Sequence, residues 1–267
     1  MSERKRPKSR TRQLPLRFLA PNMLTVTAIC AGLFAILYAI ERQFGWAVVM
    51  VFIAAILDGL DGRIARLFKS ASAVGAELDS LADFLNFGVV PSLVLYLWSL
   101  QALQSFGWIV VLLYVVTCAL RLARFNVMSR EDPPQPGGAK FFVGVPAPAG
   151  ALLAFLPMFI SLANIAPIEQ YPEAIAIYLA CIATLMLSRV PTFSFKRLSF
   201  SADYSMFILL GVAATVALLV TRTWFALILI DLAYLLTIPF AIRAHARENA
   251  TAGKVVLDVE RDSSDRD

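Results

Sequence analysis

The chain has 267 residues, of which 59% are hydrophobic and only 16% charged, with a mean hydropathy of +0.71. A soluble domain of this size does not carry so much apolar surface, and the composition reads as a multi-span membrane protein. The net charge of +5 follows from where the basic residues sit and calls for no nucleic-acid partner.

Residues 1–17 form a basic tail with Arg4, Lys5, Arg6, Lys8, Arg10, Arg12 and Arg17, suited to anionic headgroups. It is not a secretory leader: the apolar stretch that follows is too long and lacks a small-residue cleavage site. Crossing a hydrocarbon core of about 30 Å takes roughly 20 residues. Stretches of that kind lie near 22–40, 46–66, 77–99, 107–126, 146–164, 173–188, 204–220 and 224–242. All of the 24 Lys and Arg residues except Arg42 and Arg222 fall in the two tails or in alternate connections. Because basic residues stay on the cytoplasmic side, this predicts an all-α bundle of eight spans with both termini cytoplasmic. Residues 18–247 then form one membrane domain, and the charged segment 248–267 is expected to be a disordered tail. PPQPGG, within Ser129–Lys140, stops any helix. Cys30, Cys118 and Cys181 each stand alone in an apolar span and read as packing residues.

Acidic residues interrupt this pattern in DGLDGRIARLFKSASAVGAELDSLAD, from Asp58 to Asp83. Asp58 and Asp61 are three apart; Gly75, Asp79 and Asp83 follow one another at intervals of four. Residues three or four apart share a helix face, so each half presents two carboxylates on one side. Ionisable groups at membrane depth are costly and mark function. Four aspartates, with Glu77 among them, repel one another unless a cation is present, and their oxygens are hard ligands suited to Mg2+ or Mn2+. Gly59, Gly62 and Gly75 permit close approach of a nucleotide or a neighbouring helix, and Arg63 and Arg66 bring guanidinium groups suited to phosphate. Together these describe a metal-assisted site for a lipid pyrophosphate. The single histidine, His245, lies in the C-terminal tail, so an aspartate would have to serve as base toward a hydroxyl acceptor. Interhelical ion pairs or simple helix capping would explain one such acid, but not four in register with three glycines.

Asp58-x-x-Asp61-Gly62-x-x-Ala65-Arg66, eight residues, then Gly75-x-x-x-Asp79-x-x-x-Asp83 resembles the signature of the CDP-alcohol phosphatidyltransferases at every position. The resemblance implies transfer of a phosphatidyl group from a CDP-linked lipid to an alcohol with release of CMP. It also implies a helical membrane fold with a six-span core, a homodimer, and a cavity open to the cytoplasm. By the same resemblance Asp58, Asp61, Asp79 and Asp83 bind divalent metal, and Gly62, Ala65 and Gly75 border the nucleotide. Arg66 lies by phosphate, and Asp83 is the candidate base. ELDSLADFLNFGVVPS, ALRLARFNV, GVPAPAGA and SRVPTFSFK further resemble the bacterial, membrane-embedded serine-accepting branch of the family. The likeness runs from about Pro21 to Lys196, while the last two spans match only in hydrophobicity. It implies CDP-diacylglycerol and L-serine as substrates in the bacterial inner membrane. For the carboxylate of serine, the basic residues Arg121, Arg124, Arg189 and Lys196 are candidates. Pro146, Pro148 and Pro191 are expected to shape span ends.

Two other readings compete. The same chemistry could use glycerol 3-phosphate or another alcohol, which would call for a denser set of basic residues at the acceptor side. A divalent-cation transporter would need acids distributed across the bilayer; here they cluster at one mouth, and only Asp231 lies deep in another span.

Overall fold

Inside hydrocarbon, backbone N–H and C=O groups must be bonded within their own segment, which favours helices. The computed structural model describes residues 19–67, 72–131, 141–188, 191–193 and 205–264. Its long elements are α1 (Leu19–Ile40), α2 (Phe44–Leu67), α3 (Ala73–Asp83), α4 (Val90–Trp98) and α5 (Ser105–Glu131). They are followed by α6 (Ala147–Ala154), α7 (Leu156–Leu162), α8 (Pro172–Leu187), α9 (Ser205–Thr221) and α10 (Thr223–Ser264). Among the described residues, five helices are long and apolar enough to cross a membrane: Asn22–Ile40, Phe44–Ile64, Val74–Trp98, Ser105–Met128 and Thr223–Arg243.

The other three apolar stretches give shorter helices. The stretch near 146–164 is divided at Phe155 into α6 and α7. Pro157, at the start of α7, has no N–H to continue the ladder. Pro146 precedes α6, Pro148 lies in its first turn, and Pro191 opens a strand, so these three prolines do shape segment ends. That strand, β2 (Pro191–Phe193), pairs antiparallel with β1 (Phe141–Val143), Phe141 opposite Phe193. No alternating pattern announced this short ladder in an otherwise helical chain. The backbone of α10 is helical through Ser264.

α1 lies along α2 through small residues. Ala28, Ala31, Ala35 and Ala39 on one side and Ala47, Val48, Val51 and Ala54 on the other are all buried. Where lipid tails are as apolar as leucine, close backbone approach supplies the packing energy. Phe159 joins three helices, its ring 6.4 Å from Phe52 of α2, 6.1 Å from Phe155 and 6.3 Å from Trp224 of α10. Cys118 is buried; Cys30 and Cys181 are exposed, and none is in a disulfide.

α3 and α4 are one helix interrupted by a wide π turn at Phe84–Val89. Its cause can be read from Pro91. Lacking an N–H, Pro91 cannot satisfy the carbonyl of Phe87. The buried Tyr114 of α5 donates its hydroxyl to that carbonyl instead, at 3.2 Å, while the Val90 N–H bonds to Leu85 O, five residues back. Ser92 Oγ donates to Gly88 O and Val89 O, both at 2.9 Å.

Gly144 links β1 to α6 at φ +78°, and a Cβ built there would fall 2.8 Å from the backbone oxygens of both Met186 and Ser188. Neither the left-handed backbone nor the facing carbonyls leave room for a side chain. Gly144→Ala is therefore expected to cost about 2 kcal/mol or more and to lower the melting temperature in detergent. A variant that melts with the wild type would remove this clamp between β1 and the end of α8.

Candidate metal centre and its surroundings

The C-terminal half of α2 carries Asp58 and Asp61 on one face, and α3 faces it with Asp79 and Asp83. α3 starts where it does because Ser72 caps it, its hydroxyl accepting from the Gly75 N–H at 3.0 Å and satisfying one free donor of the first turn. The result is a cluster of three carboxylates: one oxygen each from Asp58, Asp61 and Asp79 lie within 4.8 Å of one another. Asp61 is buried, and the Thr25 hydroxyl of α1 donates to its Oδ2 at 2.6 Å. Asp58 Oδ1 is buried without a hydrogen-bond partner. Three acceptors converging with no donor among them fit a hard divalent cation held by oxygen.

Asp83 stands outside this trio. Its carboxyl meets that of Asp58, and the charge of Arg121 on α5 acts on it from the other side. Of the fourfold ligand set implied by the signature, the structure thus gathers three and sets the fourth beside them.

The glycines divide into two kinds. Around Gly59 and Gly62 nothing lies within 4 Å of an added Cβ, so both leave the α2 surface open to a bulky ligand. At Gly75 a Cβ would fall 2.9 Å from Asn22 Oδ1 of α1 and 3.1 Å from Ser72 Oγ. Its missing side chain is accounted for by helix packing and the cap. Ala65 lies in the last turns of α2. Arg63 and Arg66 are exposed, and Arg66 Nε donates back to Gly62 O at 3.0 Å.

Of the four basic acceptor candidates, the structure describes Arg121 and Arg124. Arg121 is half-buried, and its Nε is enclosed without a hydrogen-bond partner. Arg124 is exposed and donates to Leu187 O at 3.4 Å, joining α5 to the end of α8. Arg189 and Lys196 lie outside the described residues. Asn126 Nδ2 donates to Ser80 Oγ at 3.0 Å, tying α5 to the acid-bearing helix.

Two contributors from α1 escaped the sequence reading, Thr25 on Asp61 and Asn22 over Gly75. The available signal was Asn22 and Thr25, polar residues three apart near the start of a largely apolar span, where polar groups are rare and face the bundle interior.

Comparison with known proteins accords with this geometry. The family model described as CDP-alcohol phosphatidyltransferase matches residues 18–186, and a second, CDP-alcohol phosphatidyltransferase 2, matches residues 203–239. The second match covers all of α9 and the first part of α10, so the last two apolar stretches resemble the family in more than hydrophobicity. A protein of Mycobacterium tuberculosis named CDP-diacylglycerol–serine O-phosphatidyltransferase is 40% identical over 235 residues, 85% of this chain and 79% of that protein. A protein of that name from Mycobacterium leprae is 41% identical over 238 residues, 89% and 78% of the two chains. One from Helicobacter pylori is 34% identical over 194 residues, 72% and 79%.

Thr25 orients a buried carboxylate of the trio, as outer-shell partners of metal ligands do. Thr25→Val, which keeps the shape and removes the donor, is expected to weaken Mn2+ binding by about 10-fold or more. Calorimetric titration of the purified protein measures it; unaltered affinity would make the Thr25–Asp61 bond a purely structural one.

Proposed function

The chain belongs to the CDP-alcohol phosphatidyltransferase family, and on that basis we propose that it transfers the phosphatidyl group of CDP-diacylglycerol to the hydroxyl of L-serine, releasing CMP. The observation that carries the reading is the carboxylate trio of α2 and α3 with a fourth aspartate at its edge. Serine as acceptor is supported by the relatives at 34–41% identity, which bear that activity in their names.

Asp58, Asp61 and Asp79 are the residues to hold a divalent cation, Mg2+ or Mn2+, which when bound neutralises charge on the pyrophosphate. Gly59 and Gly62 leave room for the nucleotide beside α2, with Ala65 on the same helix, and Arg66 extends toward the phosphates. Asp83, outside the trio, suits the base better than a ligand. It takes the proton of the serine hydroxyl as the oxygen bonds to the phosphorus that carries diacylglycerol; the bond from that phosphorus to CMP breaks, and CMP leaves with its electron pair. Arg121, half-buried with a free Nε near Asp83, is the residue we assign to the serine carboxylate. Arg124 serves the α5–α8 junction, and any part played by Arg189 and Lys196 follows from sequence alone.

The reading includes a membrane catalytic domain over residues 18–247 with eight spans, a homodimer, and a site that faces the cytoplasm of a bacterial inner membrane. The distribution of Lys and Arg supports that orientation.

CMP release in mixed micelles of CDP-diacylglycerol is expected to require both L-serine and Mg2+ or Mn2+. Release that needs another alcohol would keep the family and remove serine. Asp83→Asn is expected to lower turnover by about 10²–10⁴-fold while cation binding is retained; full activity would remove the base. Asp61→Ala should abolish metal-supported CMP release or shift it to far higher metal concentrations, and an unchanged metal requirement would exclude Asp61 as a ligand.

A further inference from the structure

A buried carboxylate without a hydrogen-bond donor lies outside the aspartate segment. Asp231 on α10 is fully buried, and neither of its oxygens has a hydrogen-bond partner among the described residues. No described basic side chain is hydrogen-bonded to it. Its neighbour on α8 is Tyr178, whose hydroxyl donates its one hydrogen to Leu153 O at 2.8 Å. What Tyr178 can offer Asp231 is therefore lone pairs. Acceptors face one another here, and a charge buried away from any cation is costly. A primary ammonium, with three donors and one positive charge, is the group that such surroundings lack.

The pair is also connected to the reacting centre. Tyr234 lies three residues beyond Asp231 on the same face of α10. Its hydroxyl is an electrostatic neighbour of Arg121, whose charge acts in turn on Asp83. From Asp83 the polar side chains thus run through α5 to α10 and α8, with an unused donor at Arg121 Nε and unused acceptors at Asp231. An α-amino acid carries one carboxylate and one ammonium on the same carbon, the complement of this arrangement.

We propose that Asp231, together with Tyr178, receives the ammonium group of the amino-acid acceptor and so selects serine over hydroxylated acceptors that lack an amine. This rests on the proposed transfer to serine and extends the site to α8 and α10. Asp231 and Tyr178 bind the acceptor and take no part in bond making at phosphorus.

The experiment measures CMP release by the full-length protein with L-serine and with 3-hydroxypropanoate, which keeps the hydroxyl and carboxylate but has no ammonium. In Asp231→Asn the KM for serine is expected to rise about 10-fold or more, with the KM for CDP-diacylglycerol within about 2-fold of wild type. The preference for serine over 3-hydroxypropanoate should fall by a similar factor. A serine KM and preference equal to wild type, or an equal rise in both KM values, would overturn the proposal. If Asp231→Asn does not fold, as judged by loss of CMP-protected melting, Tyr178→Phe decides, because it keeps the ring and changes no charge. A selective rise in the serine KM supports the subsite, and an unchanged one overturns it. Failure of the serine reading itself shows separately, as wild-type release that does not depend on serine.

Discussion

Like charges at 4–5 Å repel by roughly 3–4 kcal/mol per pair at an effective dielectric of about 20, and this chain draws carboxylates from two helices into that range. The rest of the fold can be understood as the means of holding them there. α1 packs flat on α2 through its alanines and brings Thr25 to Asp61. The Ser72 cap fixes where α3 begins, and Asn126 on α5 secures α3 from the other side through Ser80. The repulsion that these contacts oppose is also what gives the site affinity for a cation. A trio already gathered does not have to be ordered at the moment of binding, so the cost of assembling it is met during folding.

The place of Asp83 beside the trio, in contact with Asp58 alone of its members, would suit a division of labour. Carboxylates engaged with a cation are poor proton acceptors, whereas a base needs an oxygen free of that engagement and close to the reacting hydroxyl. Asp83 meets Asp58 on one side and feels Arg121 on the other. It therefore stands between the carboxylate trio and the half-buried Arg121, and the spacing of four along α3 that marks the segment in sequence is what permits it.

Much of this was legible in the sequence because it is local. The acids share faces by spacing, and α1, α2, the α3–α4 pair, α5 and the first half of α10 follow from unbroken apolar runs. What was hidden depends on distant partners. The division of the 146–164 stretch at Phe155 needs the packing of Phe155 and Phe159 as well as Pro157. The β1–β2 ladder joins segments some fifty residues apart, with Pro191 at one end and Gly144 beside it. Thr25 and Tyr114 are polar residues in largely apolar stretches, and nothing local says that one meets Asp61 and the other the carbonyl of Phe87. At Gly75 the spacing marks a place of close approach and the resemblance implies a nucleotide beside it, whereas the packing of Asn22 from α1 is a distant contact that no local pattern announces.

The π turn between α3 and α4 also has a bearing on how this helix tolerates change in length. One residue of α-helix turns the chain by about 100°, and a π turn absorbs an extra residue without ending the helix. Asp79 and Asp83 precede the turn, while Val90, Val94 and Leu95, all buried, follow it. The turn therefore sets the angle between the chemical half of the helix and the packing half. Deleting one residue between Asp83 and Pro91 would leave a span of nearly the same length and hydropathy, yet rotate the two halves against each other by about a quarter turn. Insertions and deletions in this short stretch are thus ruled out by rotation, even where the membrane would accept the altered length.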